Sequence, residues 1–237
     1  MDAHDDIAGR LAFVHERIAA ACARSGRAAG DVRLVAVSKL QPTSLIREAH
    51  AAGQRDFGEN YAQDLRDRAV ELADLDGLRW HAIGPLQTNK VKYVARAASS
   101  FHALDRDAVA VALSRLREDD PIEVYVEVNV AGEDSKSGVS PEAAPDLVAR
   151  ARDLPGLRVV GLMCMPPLPD DLAGWDPAAN RPWFRALRRL ADQLGLAGLS
   201  MGTTSDYEVA VEEGATVVRV GRTIFGERRL QRGGAPA

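Results

Sequence analysis

The chain has 237 residues, 46% of them hydrophobic, with 30 Lys and Arg set against 34 Asp and Glu, which allows one large core and leaves a formal charge of −4. Charges scattered without a polybasic run argue against nucleic acid as a partner. Two cysteines, Cys22 and Cys164, make no disulfide framework or cysteine metal site, and acidic Asp2, Asp5 and Asp6 with no long apolar stretch oppose a secretory leader or membrane span, so a reducing cytoplasm is expected.

The first element is an amphipathic helix within 1–26, where Ile7, Leu11, Val14, Ile18 and Cys22 recur at three- and four-residue spacing before Ser25-Gly26 stops it. It is expected to pack on the main fold. Eight short apolar or β-branched runs follow, at 32–38, 54–58, 79–84, 100–104, 122–130, 157–164, 198–202 and 216–221. Helical stretches separate them, one carrying Leu45, Ile46 and Ala49 ahead of Gly53, another opened by Ser140 as N-cap with Pro141 at the first helical position. Strand and helix in alternation imply a parallel sheet. Eight such units in about 200 residues match a (β/α)8 barrel; an open doubly wound sheet alternates the same way, but no G-x-G-x-x-G follows the first strand. The expected architecture is therefore α/β, a single (β/α)8 TIM barrel with an extra N-terminal helix, spanning 1–237 as one domain with a disordered tail at 228–237. The Pro- and Asp-rich segment 166–182 breaks the rhythm and reads either as a cover over the barrel mouth or as a stiff surface loop.

Lys39 closes the first apolar run, where the strand hands over to the helix opener Gln41-Pro42-Thr43-Ser44. An ammonium at an apolar barrel mouth loses hydration, which lowers its pKa from about 10.4 and makes it a nucleophile able to condense with an aldehyde. The plainer alternative is a strand-end lysine reaching into solvent. Phosphate in such barrels is commonly held by the loops after strands seven and eight. In the first of these, Ser205 and Glu208 have capping-box spacing that would present backbone N–H groups to an anion. In the second, Gly221 permits close backbone approach, and Arg222 or Thr223 can donate to phosphate oxygens. Arg219 alternates with Val218 and Val220, which turns its guanidinium into the barrel to meet either an unprotonated aromatic nitrogen or a carboxylate. His4, His15, His50 and His102 show no metal-ligand spacing, His81 reads as a satisfied core histidine, Glu59 as structural and Lys136 as a solvated loop lysine.

Several segments in order carry a resemblance: Leu-Val-Ala-Val-Ser-Lys at 34–39, Phe-Gly-Glu-Asn-Tyr at 57–61, Trp-His-Ala-Ile-Gly-Pro-Leu-Gln-Thr-Asn-Lys at 80–90, Asp-Ser-Lys-Ser-Gly at 134–138, Gly-Leu-Met at 161–163, and Val-Arg-Val-Gly at 218–221 before Ile-Phe-Gly at 224–226. Together they resemble the pyridoxal 5′-phosphate (PLP) homeostasis proteins, which have a barrel like the N-terminal domain of alanine racemase and no second domain. The resemblance implies PLP held as an aldimine on Lys39, Arg219 facing the pyridine nitrogen and Asn60 near the ring. Phosphate would lie between the two loops, with Thr204 where the family usually has serine and Gly221 with its following amide completing the cradle. Thr203 stands in place of a methionine, and Arg222 in place of a small Ser or Thr, which removes a hydroxyl and adds a cation.

An arginine beside the pyridine nitrogen leaves it unprotonated and weakens the electron sink. Racemases also need a second base, normally a tyrosine from a further domain for which a chain ending at Ala237 has no room, and neither Tyr61 nor Tyr207 matches a racemase motif. The expectation is a monomeric PLP-binding protein that holds and delivers its cofactor without robust turnover, with PLP-dependent apoenzymes as candidate recipients and no catalytic residue, metal, nucleic acid or membrane. A low-activity amino-acid racemase is the alternative. A class I aldolase-like barrel, trapping a sugar phosphate on Lys39, lacks a carboxylate or second lysine at evident spacing.

Overall fold

The computed structural model describes residues 6–133, 136–168 and 172–226. The eight apolar runs form strands β1 Arg33–Val37, β2 Asp56–Glu59, β3 Arg79–Ala82, β4 Ser100–Leu104, β5 Ile122–Glu127, β6 Leu157–Met163, β7 Gly198–Thr203 and β8 Val217–Val220. They pair in parallel in chain order, and β1 pairs with β8 to close the barrel, which excludes the open sheet. Outside the ring run α2 Thr43–Ala51, α3 Ala62–Glu71, α4 Val91–Ala97, α5 Asp107–Arg115, α6 Ala144–Arg152, α7 Arg181–Gln193, α8 Tyr207–Glu212 and the short α9 Arg222–Phe225. The expected tail at 228–237 lies outside the described residues.

The N-terminal helix α1, Ile7–Arg24, buries the stripe Ile7, Leu11, Val14, Ile18, Ala21 and Cys22, and Asp6 caps it by accepting from the Gly9 N–H at 2.7 Å. Its polar side reaches α8, where Arg17 and Arg24 pair with Glu208 and Glu212. Such half-exposed pairs contribute about 0.2–1 kcal/mol each, so the apolar stripe does most of the docking. α6 begins later than Ser140 and Pro141 suggest. It carries Pro145 in its first turn, while the Ser140 carbonyl accepts from the Ala143 and Ala144 N–H groups in a preceding turn. Both prolines suit a first turn, and burial of Ala144, Leu147, Val148 and Ala151 along one stripe selects the second.

Alternation along the strands sorts the sheet into two faces. Trp80, Phe101, Val124, Leu199 and Val218 fall in one phase, while His81, Ser100, His102, Tyr125, Ser200 and Arg219 fall in the other, and all are buried. Among the described residues no helix is long and apolar enough to cross a membrane, and no three His, Cys, Asp or Glu side chains cluster as metal ligands. Where β6 meets β7, a Cβ on Gly161 would lie 2.0 Å from the Gly198 carbonyl oxygen. Gly161→Ala is therefore expected to cost about 3 kcal/mol. Urea denaturation measures it, and an unchanged midpoint would contradict this strand contact.

Candidate functional site

A cavity of about 440 Å³ opens at the C-terminal ends of the strands, and Lys39, Asn60, Thr204, Arg219, Gly221 and Arg222 all stand in its wall. Ser205, proposed from the same loop, does not line it. A more open depression of about 570 Å³ lies outside the ring against α1, α7 and α8, where Arg24, Arg181 and Arg185 are paired with Glu212 and Glu213, the Ser25 hydroxyl donates to its own helix, and no lysine or cysteine lines the wall.

Val37 also lines the cavity, and Lys39, two residues on and half-buried, emerges on the same side. It sits in a tight turn. The Gln41 N–H donates to the Ser38 carbonyl at 3.0 Å, and Leu40 adopts φ 61°, a left-handed conformation that branched residues rarely accept. Arg68 clamps the turn by donating to the carbonyls of Ser38 at 2.7 Å and Gln41 at 2.6 Å. Arg68 and the Ser38 hydroxyl also donate to Glu59, each at 2.6 Å. Burial pushes the Glu59 carboxyl up to about 7 against the pull of Arg68 and Ser38. Glu59 is thus a structural group holding the lysine turn. Asn60 is placed by a close backbone approach, since a Cβ on Gly84 would lie 2.5 Å from the Asn60 carbonyl oxygen.

The loops after β7 and β8 meet where the Gly221 N–H donates to the Thr204 hydroxyl at 3.2 Å. The capping box of Ser205 and Glu208 does not form. Asp206 precedes α8 instead, its carboxylate reaching back to accept from the Thr203 N–H at 2.7 Å and from the buried Asn180 amide at 2.8 Å, while Glu208 is drawn to two cations of α1.

Arg219 is buried and makes no ion pair among the described residues, so the carboxylate alternative fails. Its guanidinium donates to the Ser200 hydroxyl at 2.5 Å, the Cys164 carbonyl at 3.0 Å and the Met165 sulfur at 3.0 Å. Burial lowers its pKa, opposed by Cys164, Glu127 and Asp206. Three of its five N–H donors thereby meet partners among the described residues. Behind it runs a chain of buried polar groups. His102 Nδ1 lies 2.8 Å from the Ser200 oxygen, His102 Nε2 2.9 Å from Ser100, His81 Nδ1 2.7 Å from Ser100, and His81 Nε2 2.8 Å from Asp56, which also binds Arg79 at 2.6 Å.

Donor counting gives this chain a direction. A guanidinium only donates, so the Ser200 oxygen accepts and its proton goes to His102 Nδ1. His102 is held well below its ordinary pKa by burial, then by His81 and Arg219, so it stays neutral and donates from Nε2. Ser100 and His81 pass the same polarity on to Asp56. His81 is thus a satisfied core histidine, and His102, stacked on Tyr125 at 4.4 Å, is a second.

Several groups were hidden in the sequence. Glu127 lines the cavity from the end of β5, and its signal was phase, since it lies two residues beyond interior Tyr125. Tyr61 is exposed and lines a neighbouring cavity of about 450 Å³ with Lys90 and Arg106, while Tyr207 is buried, which pushes its hydroxyl up to about 12. Neither lines the Lys39 cavity. Lys136 donates to the carbonyls of Met165 at 3.3 Å and Pro166 at 3.0 Å, tying the loops after β5 and β6 together. Met165 and Leu168 of the second loop line the cavity, so the beginning of the segment 166–182 borders the mouth; its residues 169–171 lie outside the described ones.

Asp56 terminates the polar chain. Burial alone would raise its carboxyl, but Arg79 and His81 outweigh burial and hold it well below the usual carboxylate range. A depressed folded pKa contributes stability that is present above about pH 4 and is lost as pH falls toward the folded value. Asp56→Asn should cost about 2–3 kcal/mol at neutral pH, and the gap from the parent should narrow below about pH 4 in urea titrations at several pH values. A gap independent of pH would remove the ionised carboxylate from this account.

The chain matches the family described as alanine racemase, N-terminal domain, over residues 15–229. It is 46% identical over 235 residues to the pyridoxal phosphate homeostasis protein of Pseudomonas aeruginosa, covering 98% of each chain, and 43% identical over 228 residues to that of Aquifex aeolicus, covering 93% of this chain and 97% of the relative. PipY of Synechococcus elongatus PCC7942, solved with PLP bound, superposes with a TM-score of 0.79 at 33% identity over 93% of this chain and 100% of PipY. Alanine racemase from Corynebacterium glutamicum shares the fold, with a TM-score of 0.63 at 16% identity over 94% of this chain and 63% of the racemase. With its closed eight-stranded barrel and its match to relatives of that name along nearly their whole length, the chain belongs to the pyridoxal phosphate homeostasis proteins.

Proposed function

We propose that this protein binds PLP as a Schiff base on Lys39 and serves PLP homeostasis by holding and delivering the cofactor, without robust turnover of its own. The observation that carries the reading is the convergence of Lys39, Asn60, Thr204, Arg219, Gly221 and Arg222 on one cavity, whose 440 Å³ is the size of a small-molecule site. The residues fit the cofactor chemically. Lys39 supplies the amine for its aldehyde. The joined loops at Thr204 and Gly221, with exposed Arg222 beside them, supply donors for its phosphate. Arg219, in no ion pair and with three of its five N–H donors used among the described residues, suits a pyridine nitrogen that stays unprotonated, whereas an acidic partner would protonate it. PLP bound to PipY, at 33% identity over 93% of this chain, supports the same ligand here.

The racemase alternative requires a tyrosine base at the cavity, and Tyr61 and Tyr207 stand elsewhere. We place the protein in a reducing cytoplasm as a monomer, a setting that suits its two buried free cysteines, with PLP-dependent apoenzymes as recipients.

Borohydride reduction of the PLP-loaded protein followed by peptide mass spectrometry is expected to locate one pyridoxyl-phosphate adduct on Lys39. Lys39→Ala should lose the adduct and keep its circular dichroism and urea midpoint, because a half-buried turn lysine adds little to the core. An adduct on another lysine would overturn the assignment. Arg222→Ala should weaken PLP binding about fivefold by fluorescence titration, equivalent to about 1 kcal/mol from one exposed cation.

A further inference from the structure

Glu127 is the charged group in the cavity wall that the Schiff-base reading leaves without a task. It ends β5, which lies diametrically across the ring from β1, so Glu127 and Lys39 stand on opposing walls of one cavity. The side chain is only 7% exposed, and its Oε2 is buried with no hydrogen-bond partner among the described residues. A desolvated carboxylate oxygen without a partner is costly, so this oxygen is placed for a donor that arrives with a ligand. Asp105, just beyond β4, repels its charge, and Arg219 on β8 attracts it. The Cys164 thiol after β6, pushed up to about 12 by burial, is neutral, and Lys39 and Arg222 complete the titratable groups of the wall. Burial, then Asp105, raises the Glu127 carboxyl to about 7 against Arg219, which populates both of its protonation states near neutral pH.

We propose that Glu127 binds the ammonium of an incoming primary amine and takes its proton, so that PLP leaves Lys39 by exchange onto that amine. This rests on the Schiff-base reading above. The entering ammonium gives its proton to the Glu127 carboxylate, and the freed nitrogen lone pair adds to the protonated imine carbon. A proton then passes from the new nitrogen to the Lys39 nitrogen, and the bond between that carbon and the Lys39 nitrogen breaks. Glu127 returns its proton to the released Lys39 amine. One ammonium enters and one remains on the protein, the imine keeps its proton, and no oxidant is consumed. The ligand class is a primary amine, which includes the side chain of a lysine on an acceptor protein.

The probe is methylamine mixed rapidly with PLP-loaded protein, following loss of the Schiff-base absorbance. The rate is expected to rise with pH about a midpoint near 7. Glu127→Gln should slow exchange about 100-fold and abolish that midpoint, with partial recovery in Glu127→Asp. Carboxyl NMR of the ¹³C-glutamate-labelled, PLP-free chain gives a second readout. Of the resonances that titrate near 7, among them Glu59, the one missing from Glu127→Gln should shift to lower pH in methylamine. An unchanged exchange rate in a Glu127→Gln protein that folds and forms the Lys39 adduct would overturn the proposal. So would loss of α-proton exchange from alanine in D₂O with methylamine exchange intact, which would make Glu127 a carbon base. A parent protein with no Lys39 adduct would overturn the Schiff-base reading instead, and the NMR titration would still decide the ammonium site.

Discussion

Closure of the ring through the β1–β8 pairing is the constraint on which the site depends. Val35 lies opposite Arg219 and Ala36 opposite Val220, so the lysine turn that follows β1 and the arginine of β8 reach the same end of the barrel. A slip of one residue would carry Arg219 to the helix-facing side and bring Val218 inward, because side chains alternate with period two. The register also seats Gly221, where a Cβ would lie 3.1 Å from the Val37 carbonyl oxygen. A small residue at that point lets the loop after β8 close against β1, and the same loop binds Thr204 of its other neighbour.

A buried guanidinium without a carboxylate beside it is ordinarily expensive. Here the cost is moderated by polarity as well as by the nearby carboxylates Glu127 and Asp206, neither of which forms an ion pair with it among the described residues. Each hydroxyl and imidazole between Arg219 and Asp56 accepts on one side and donates on the other, so their dipoles align between a cation near the cavity and a carboxylate bound by Arg79. The carboxylate that ends this chain, Asp56, thus lies away from the cavity, whose own carboxylate, Glu127, forms no ion pair with Arg219 among the described residues. The arrangement explains why the barrel interior carries histidines and serines where aliphatic residues would pack more simply.

Much of the fold was legible because the signals were local. Eight β-branched or apolar runs bounded by glycines and helix openers became eight strands, and Gly53, at φ 100°, ends α2 where its position after Ala49 implied. The lysine, the arginine and Gly221 were legible because each sits at or next to the C-terminal end of such a run. Pairings across the ring were not. His81, Ser100, His102 and Ser200 come from three strands, and their chain exists only once the register is set. Glu127 was concealed in an apolar run whose inward phase requires a known neighbour. Ser205 and Glu208 had the spacing of a capping box, but spacing does not show that Asp206 holds the turn or that α1 claims Glu208. Arg68 gave no signal, since a helix-surface arginine reaches the carbonyls of Ser38 and Gln41 only after α3 has docked on the ring.

If Lys39 carries PLP as proposed, the charge pattern of the cavity suits transfer at nitrogen better than chemistry at carbon. Arg219, in no ion pair among the described residues, would oppose protonation of an aromatic nitrogen beside it, and an unprotonated ring is a poor sink for a carbanion. Exchange of one amine for another at an imine carbon needs no carbanion. It needs a wall that binds an ammonium, a group that can hold its proton, and a leaving amine set on a firm turn. Glu127 with its unpartnered oxygen faces Lys39, whose turn is clamped by Arg68 through Ser38 and Gln41. On the Schiff-base reading proposed above, these features would serve release of PLP to an incoming amine, the step that delivery requires and that a racemase follows with chemistry at carbon.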